Sequence, residues 1–208
     1  IPTLRALFEE WMRVHASVFS RKHMVMVECH YRRWIAPCLG SKLIDQIQTS
    51  EVMRMRSDIL SAGRSPRYAN NALQVLKLLL NFAVKLRHMK ALPFDVAPLR
   101  LQKKPRVTVP APRFSEFLAV VDQEARNPHV RVLLRVMAGL GLREGEALGM
   151  RWEWFDPQNQ TYTVGKAKGK EARVLPVPDW LWAAIHAMPK TLSPWVFPAE
   201  DGKPHRSQ

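Results

Sequence analysis

The sequence predicts a mainly α-helical protein with a small antiparallel β-hairpin or sheet, divided into two domains by a basic, proline-rich linker. Three observations predict it. Apolar residues recur at helical spacing up to about residue 89. The stretch ALPFDVAPLRLQKKPRVTVPAP then breaks that period with repeated prolines. Beyond it helical patterns return, interrupted by two β-prone runs around a Gly/Lys-rich tip. The expected boundaries are a helical domain at 1–98, a linker at 99–112 and a second domain at 113–208.

Leu4, Leu7, Phe8, Trp11 and His15 set the first helix, over about residues 3–16. Val27, Tyr31, Trp34 and Ile35 stripe a second at about 21–36, with Pro37 as its end. Thr49 or Ser50 caps a third, which reaches Leu60 and stops at Gly63. Ser65-Pro66 is a start signal for a long helix reaching about Met89, with the proline at the first helical position. In the second domain a helix near Ser115–Arg126 ends at Asn127-Pro128, and another covers about 129–139. The apolar run breaks at Gly139 and Gly141, then resumes in helical spacing with Ala147, Leu148 and Met150. Trp152, Trp154, Phe155 and Asp156 close it. TYTV (161–164) and RVLPVP (173–178) read as hairpin strands, and Asp179 caps a short helix, WLWAAIHAM. The final stretch, SPWVFPAEDGKPHRSQ, reads as polar and irregular.

Hydrophobic content of 47% and charged content of 24% are those of a globular protein with a sizeable core. No apolar run approaches a membrane span, and no signal-peptide pattern opens the chain. Cys29 and Cys38 set no disulfide framework, and no CxxC or HxxxH spacing suggests a metal. The expected location is cytoplasmic and nucleoid-associated. The net charge of +14 is unevenly placed: residues 1–106 carry 19 Lys/Arg against 7 Asp/Glu, and residues 107–208 carry 13 against 11. The first half therefore faces a polyanion. A membrane surface would want one basic amphipathic helix with exposed aromatics, whereas this charge is spread over several segments. Double-stranded DNA is the expected partner, with no membrane.

Two stretches carry the candidate chemistry. On the long helix, Gln74, Lys77, Asn81, Lys85 and His88 recur three and four apart without an acid, and Arg64, Arg67 and Arg87 lie near. A solvated polar face fits that spacing. Phosphate contact fits it better, because a surface built for solubility mixes signs. The linker's Arg100, Lys103, Lys104 and Arg106 either follow a DNA backbone or are merely solvated. The second stretch is VMAGLGLREGEALGMRWEWFD, where Arg143 stands between a glycine turn and a new helix, with Glu146 one turn on. An ordinary i,i+3 ion pair and an anion site oriented by a carboxylate both fit.

With these motifs quoted, the sequence resembles the tyrosine recombinases, or phage-type integrases. GLR-x-x-E followed by W-x-x-F-D is similar to the family's first arginine box. TYTV, KGKEAR and VLPVP resemble the strand, lysine-bearing hairpin and R-x-x-P strand that follow it. The S-P-R-Y-A-N-N start of the long helix resembles the last long helix of the family's core-binding domain. The resemblance covers nearly the whole chain. It implies a helical core-binding (SAM-like) domain followed by part of an α+β catalytic domain. It further implies a site-specific DNA recombinase or integrase of a phage or mobile element. Arg143 then matches the arginine on the scissile phosphate, Glu146 its acidic support, and Lys168 the hairpin lysine, five residues before Arg173 and eight before Pro176. Lys170 matches a secondary basic position. The implied DNA-binding set is Arg64, Arg67, Gln74, Lys77, Asn81, Lys85, Lys103 and Lys104. The implied reaction is transesterification through a 3′-phosphotyrosyl intermediate, with no metal, nucleotide or other cofactor.

The chain also departs from the family pattern. An H-x-x-R box and a nucleophilic tyrosine are expected after the hairpin, but the tyrosines are Tyr31, Tyr68 and Tyr162, and His205-Arg206 is adjacent. The resemblance thus implies a fragment, truncated in the catalytic domain, inactive alone and monomeric, from a protein that forms a homotetramer on DNA. A degenerate DNA-binding relative acting as a repressor or architectural factor is the alternative. A binder of acidic proteins or membrane surfaces is the third class.

Overall fold

The computed structural model describes residues 1–102, 105, 107–165, 172–189, 191–199 and 202–203, which fall in two units, Ile1–Pro105 and Arg106–Gln208. In the first unit, α1 (Leu4–His15) starts where Thr3 accepts a hydrogen bond from the Ala6 N–H, and α2 (Arg21–His30) where Ser20 accepts one from His23. Each cap satisfies a backbone donor that the first turn leaves open. α1 buries Leu4, Leu7, Phe8 and Trp11 on one face. The second helix does not end at Pro37. It widens into a π turn, Tyr31–Ile35, and continues as α3 (Ala36–Leu39), with the Ala36 N–H reaching back to Tyr31 O. That shift of hydrogen-bond register puts Pro37 at the start of a fresh turn, where its missing N–H costs no ladder bond.

α4 (Thr49–Ser61) follows a 3-10 turn at Ile44–Gln46. Its cap is Gln48 rather than Thr49 or Ser50: the Glu51 carboxylate accepts from the Gln48 N–H at 3.1 Å and pairs with Lys42. Gly63, at φ 73°, closes it. α5 (Pro66–Lys85) begins as Ser65 accepts from the Tyr68 N–H and ends short of Met89. Its apolar spacing continues to Leu86. Arg87 then turns left-handed (φ 60°), and His88 N bonds Ala83 O at 3.0 Å. An arginine thus takes the position that glycine usually fills, which is why no terminator shows in the sequence.

Residues 91–99 are not a free linker start. Phe94 and Val96 are buried in the first unit's core. Three α-helical side chains hold the backbone of this strap: Arg56 donates to Ala97 O (2.9 Å), Lys77 to Val96 O (2.9 Å), and buried Asn70 both donates to Leu99 O (2.9 Å) and accepts from Leu99 N (2.8 Å). Asn70→Ala removes both partners of Leu99, so it should lower the unfolding free energy by roughly 1–3 kcal/mol, read as a lower urea midpoint. An unchanged midpoint would mean that water replaces the amide without loss.

The second unit runs from a 3-10 turn at Ala111–Arg113 through α6 (Phe114–Glu124), α7 (Pro128–Leu140) and α8 (Glu144–Leu148) to a 3-10 turn at Trp152–Trp154. β1 (Phe155–Asp156), β2 (Thr161–Val164), β3 (Arg173–Pro176) and α9 (Asp179–His186) complete it. The strands form an antiparallel sheet in the order β1-β2-β3, with Phe155 opposite Tyr162 and Val164 opposite Arg173. The short β1 lies in a stretch whose apolar pattern reads as the end of a helix. Only Gly141 (φ 62°) breaks α7; Gly139 lies inside it, where a Cβ would come within 3.0 Å of the Trp180 ring. That close approach seats α9 on α7. Residues 193–199 are also more ordered than their composition implies. Val196 N bonds Met150 O, Trp152 N bonds Pro194 O, and Val196 and Phe197 are buried. Among the described residues no helix is long and apolar enough to cross a membrane.

Candidate active site

The αL turn at Gly141 releases the chain into Leu142, which is buried, and Arg143, which is not. Arg143 precedes α8, and Glu146 stands one turn on, so its carboxylate folds back over the helix start. Oε2 accepts from the Arg143 backbone N–H at 2.9 Å, and Oε1 from the Arg143 guanidinium Nη1 at 3.0 Å. A third donor arrives from the sheet: Arg173 Nη2 reaches Glu146 Oε2 at 2.7 Å. The carboxylate is 11% exposed and the Arg143 side chain 71%. The acid is therefore sunk in the surface, while the guanidinium it orients stands out in solvent. The Arg143 backbone N–H is the main reason that Glu146 is held below the ordinary carboxylate range, with the guanidinium bond and the Arg173 charge adding to it; burial works the other way.

Beneath Glu146 lies a small cavity lined by Gly145, Gly149, Trp154, Tyr162, Val164 and Gly165. Gly165 leaves β2 under the Trp154 ring, where a Cβ would fall 2.6 Å from the indole, so no larger residue fits without displacing it. The root of the hairpin is thereby fixed on both sides, by Gly165 against Trp154 and by Arg173 on Glu146. The tip, 166–171, lies outside the described residues, and with it Lys168 and Lys170.

In the first unit, the exposed residues of α5 after Pro66 are Arg67, Asn71, Gln74, Asn81 and Lys85, which at 100° per residue fall in one sector of roughly 80°. Arg64 is also exposed, its guanidinium 5.6 Å from the Tyr68 ring centre. Lys77 is different. It is half-buried beside that sector, with its ammonium on Val96 O, which makes it an anchor of the strap. Lys103 and Lys104 lie outside the described residues.

No family model matches the chain. It is 24% identical over 196 residues to a tyrosine recombinase XerC-like protein of Caldanaerobacter subterraneus subsp. tengcongensis, covering 91% of this chain and 50% of that protein. It is 26% identical over 176 residues to the integrase of Enterobacteria phage P4, covering 82% of this chain and 39% of that one. The chain thus spans about half, or less, of the length of the curated relatives it matches. Among solved structures, it superposes on the Tn1549 transposon integrase in complex with circular intermediate DNA with a TM-score of 0.77. The identity there is 19%, and the match covers 99% of this chain and 74% of that one. In sequence the chain is thus similar to tyrosine recombinases and integrases, and it shares the fold of a solved integrase.

The structure brings Arg143 and Glu146 together and adds Arg173, which in the sequence served only as a spacing mark for Lys168. Its signal is hard to see, because the partner is 27 residues away and meets it only once the sheet has formed. Asn71, which the sequence did not single out, shares the exposed sector of α5, four residues from Arg67 and three from Gln74. The tyrosines are equally informative. Tyr31 and Tyr162 are buried, and burial raises both phenols, that of Tyr162 to about 12. Tyr68 accepts a hydrogen bond from Trp34 Nε1 at 3.2 Å in the ring cluster of the first unit. Neither Tyr31 nor Tyr162 has the exposed hydroxyl that a nucleophile needs.

Proposed function

We propose that this chain is part of a site-specific DNA recombinase that binds duplex DNA and cuts and rejoins its strands through a 3′-phosphotyrosyl intermediate. The observation that carries the reading is the exposed Arg143 guanidinium, held from behind by a sunken carboxylate that also grips the root of the hairpin. A pre-oriented guanidinium facing solvent suits the phosphate whose charge grows in the transition state. Arg143 holds that phosphate, and Glu146 orients Arg143. Lys168, at the hairpin tip, protonates the departing 5′ oxygen. The attacking hydroxyl belongs to a tyrosine other than Tyr31, Tyr68 and Tyr162. Arg64, Arg67, Gln74, Asn81 and Lys85 contact the duplex, Asn71 joins them, and Lys103 and Lys104 follow its backbone. The complete assembly on DNA is a homotetramer.

Lys168→Ala in the intact protein tests the chemistry. It should slow cleavage by about tenfold or more while duplex binding changes little. A 5′-bridging phosphorothioate, whose sulfur leaves without protonation, should restore the rate. Failure of that rescue would remove the general-acid role. The second reading is a DNA-binding relative without chemistry. It predicts no cleavage by the intact protein with any substrate.

A further inference from the structure

Glu146 receives three donors on two oxygens: the Arg143 N–H and Arg173 Nη2 on Oε2, and Arg143 Nη1 on Oε1. Two guanidiniums thus share one carboxylate, and they come from elements of different kinds, the turn before α8 and the first residue of β3. Arg173 faces Val164 across the sheet in the last described pair before the tip, so it joins the hairpin root to the phosphate-binding turn. Its side chain is 46% exposed. With the guanidinium end of the pair open to water, its contribution to folding stability is modest. Geometry is another matter, since a misplacement of about 1 Å in a catalytic group costs on the order of 10² in rate.

We propose that Arg173 is a positioning residue for the Arg143 phosphate clamp: from the strand side it fixes Glu146, which fixes the direction of the Arg143 guanidinium and keeps the hairpin root in register with it. The proposal rests on the recombinase reading above. Without Arg173, Glu146 keeps only the two donors that Arg143 itself supplies, and nothing from the sheet ties the carboxylate to the hairpin root. Glu146 is faced by Arg143 from its own turn, Arg173 from β3 and the neutral phenol of Tyr162 from β2. Loss of the Arg173 charge therefore moves its titration upward, and the acid limb of the rate profile moves with it.

The test compares Arg173→Ala, Arg173→Lys and Arg143→Ala in the intact protein. Arg173→Ala should lower single-turnover cleavage by about 10- to 10²-fold, leave duplex Kd and thermal midpoint nearly unchanged, and raise the Glu146 carboxyl titration followed by carbon NMR. Arg173→Lys should recover much of the rate, because an ammonium still donates to Oε2. A rate loss matched by an equal loss of affinity would make Arg173 a plain phosphate contact, and one matched by a lower thermal midpoint would make it structural. Either overturns the proposal, as does a normal rate. If the intact protein with both arginines in place does not cleave, the recombinase reading falls. If it cleaves and Arg173→Ala cleaves equally well, that reading stands and this inference alone fails.

Discussion

Arg143→Ala should reduce strand cleavage by the intact protein by roughly 10²–10³ while duplex affinity changes little, because the residue is one transition-state anion donor among many ground-state phosphate contacts. The structure explains the size of the expected effect. The guanidinium is already aimed: Glu146 holds one edge at 3.0 Å, leaving the rest of a 71% exposed side chain open to a ligand. Little reorganisation remains when the phosphate arrives, and preorganised donors are the ones that accelerate a reaction. Arg143→Lys should recover only part of the loss. An ammonium is a point charge and cannot hold a carboxylate on one edge and a phosphate on another in fixed planar geometry. The pH dependence has a definite sign. Glu146 is depressed below its ordinary 4.5, so the clamp is fully assembled above that value and is lost as pH falls through the lower, folded-state pKa. Single-turnover cleavage against binding separates the effects, and near-normal cleavage by Arg143→Ala would reassign the residue to structure.

Much of this site was legible because its parts are local. Arg143 and Glu146 are three residues apart, and the glycine turn before them announces the break between helices. The hairpin strands were legible for the same reason, each being a short β-prone run bounded by turn residues. What escaped depends on contacts distant in sequence. Arg173 acquires meaning only when β3 pairs with β2 and swings its side chain onto α8. Asn70 looks like one more polar residue of α5 until the strap reaches it with both Leu99 backbone groups. The proline-rich composition around the strap masked a short alternation, buried Phe94, exposed Asp95, buried Val96, that is the mark of an extended segment lying on a core. Lys77 shows the converse error. It fits the polar spacing of α5 as well as Lys85 does, but it sits to one side of the exposed sector, where a backbone carbonyl takes its ammonium. Spacing alone cannot tell a cation facing water from one facing the protein's own backbone.

That distinction sets the expectation for salt. Duplex affinity of this chain should fall linearly on a log–log plot against salt, with a slope of about −0.9 for each phosphate neutralised. Arg64, Arg67 and Lys85, three of the exposed cations at α5, supply a floor of three. Three contacts give a slope near −2.7, so raising salt from about 50 to about 200 mM should weaken binding about 40-fold; six contacts would give about 10³-fold. Replacing Arg67 or Lys85 by alanine should flatten the slope by about 0.9 each. Lys77→Ala should leave the slope unchanged and lower the unfolding free energy instead, because its partner is Val96 O and not a phosphate. Gln74→Ala and Asn81→Ala should weaken binding without altering the slope, since a neutral amide releases no counterion. A salt-independent Kd would remove the DNA reading altogether. Equal slope changes for Lys77 and Lys85 would show that the strap lifts from α5 when the duplex binds, freeing the Lys77 ammonium for a phosphate.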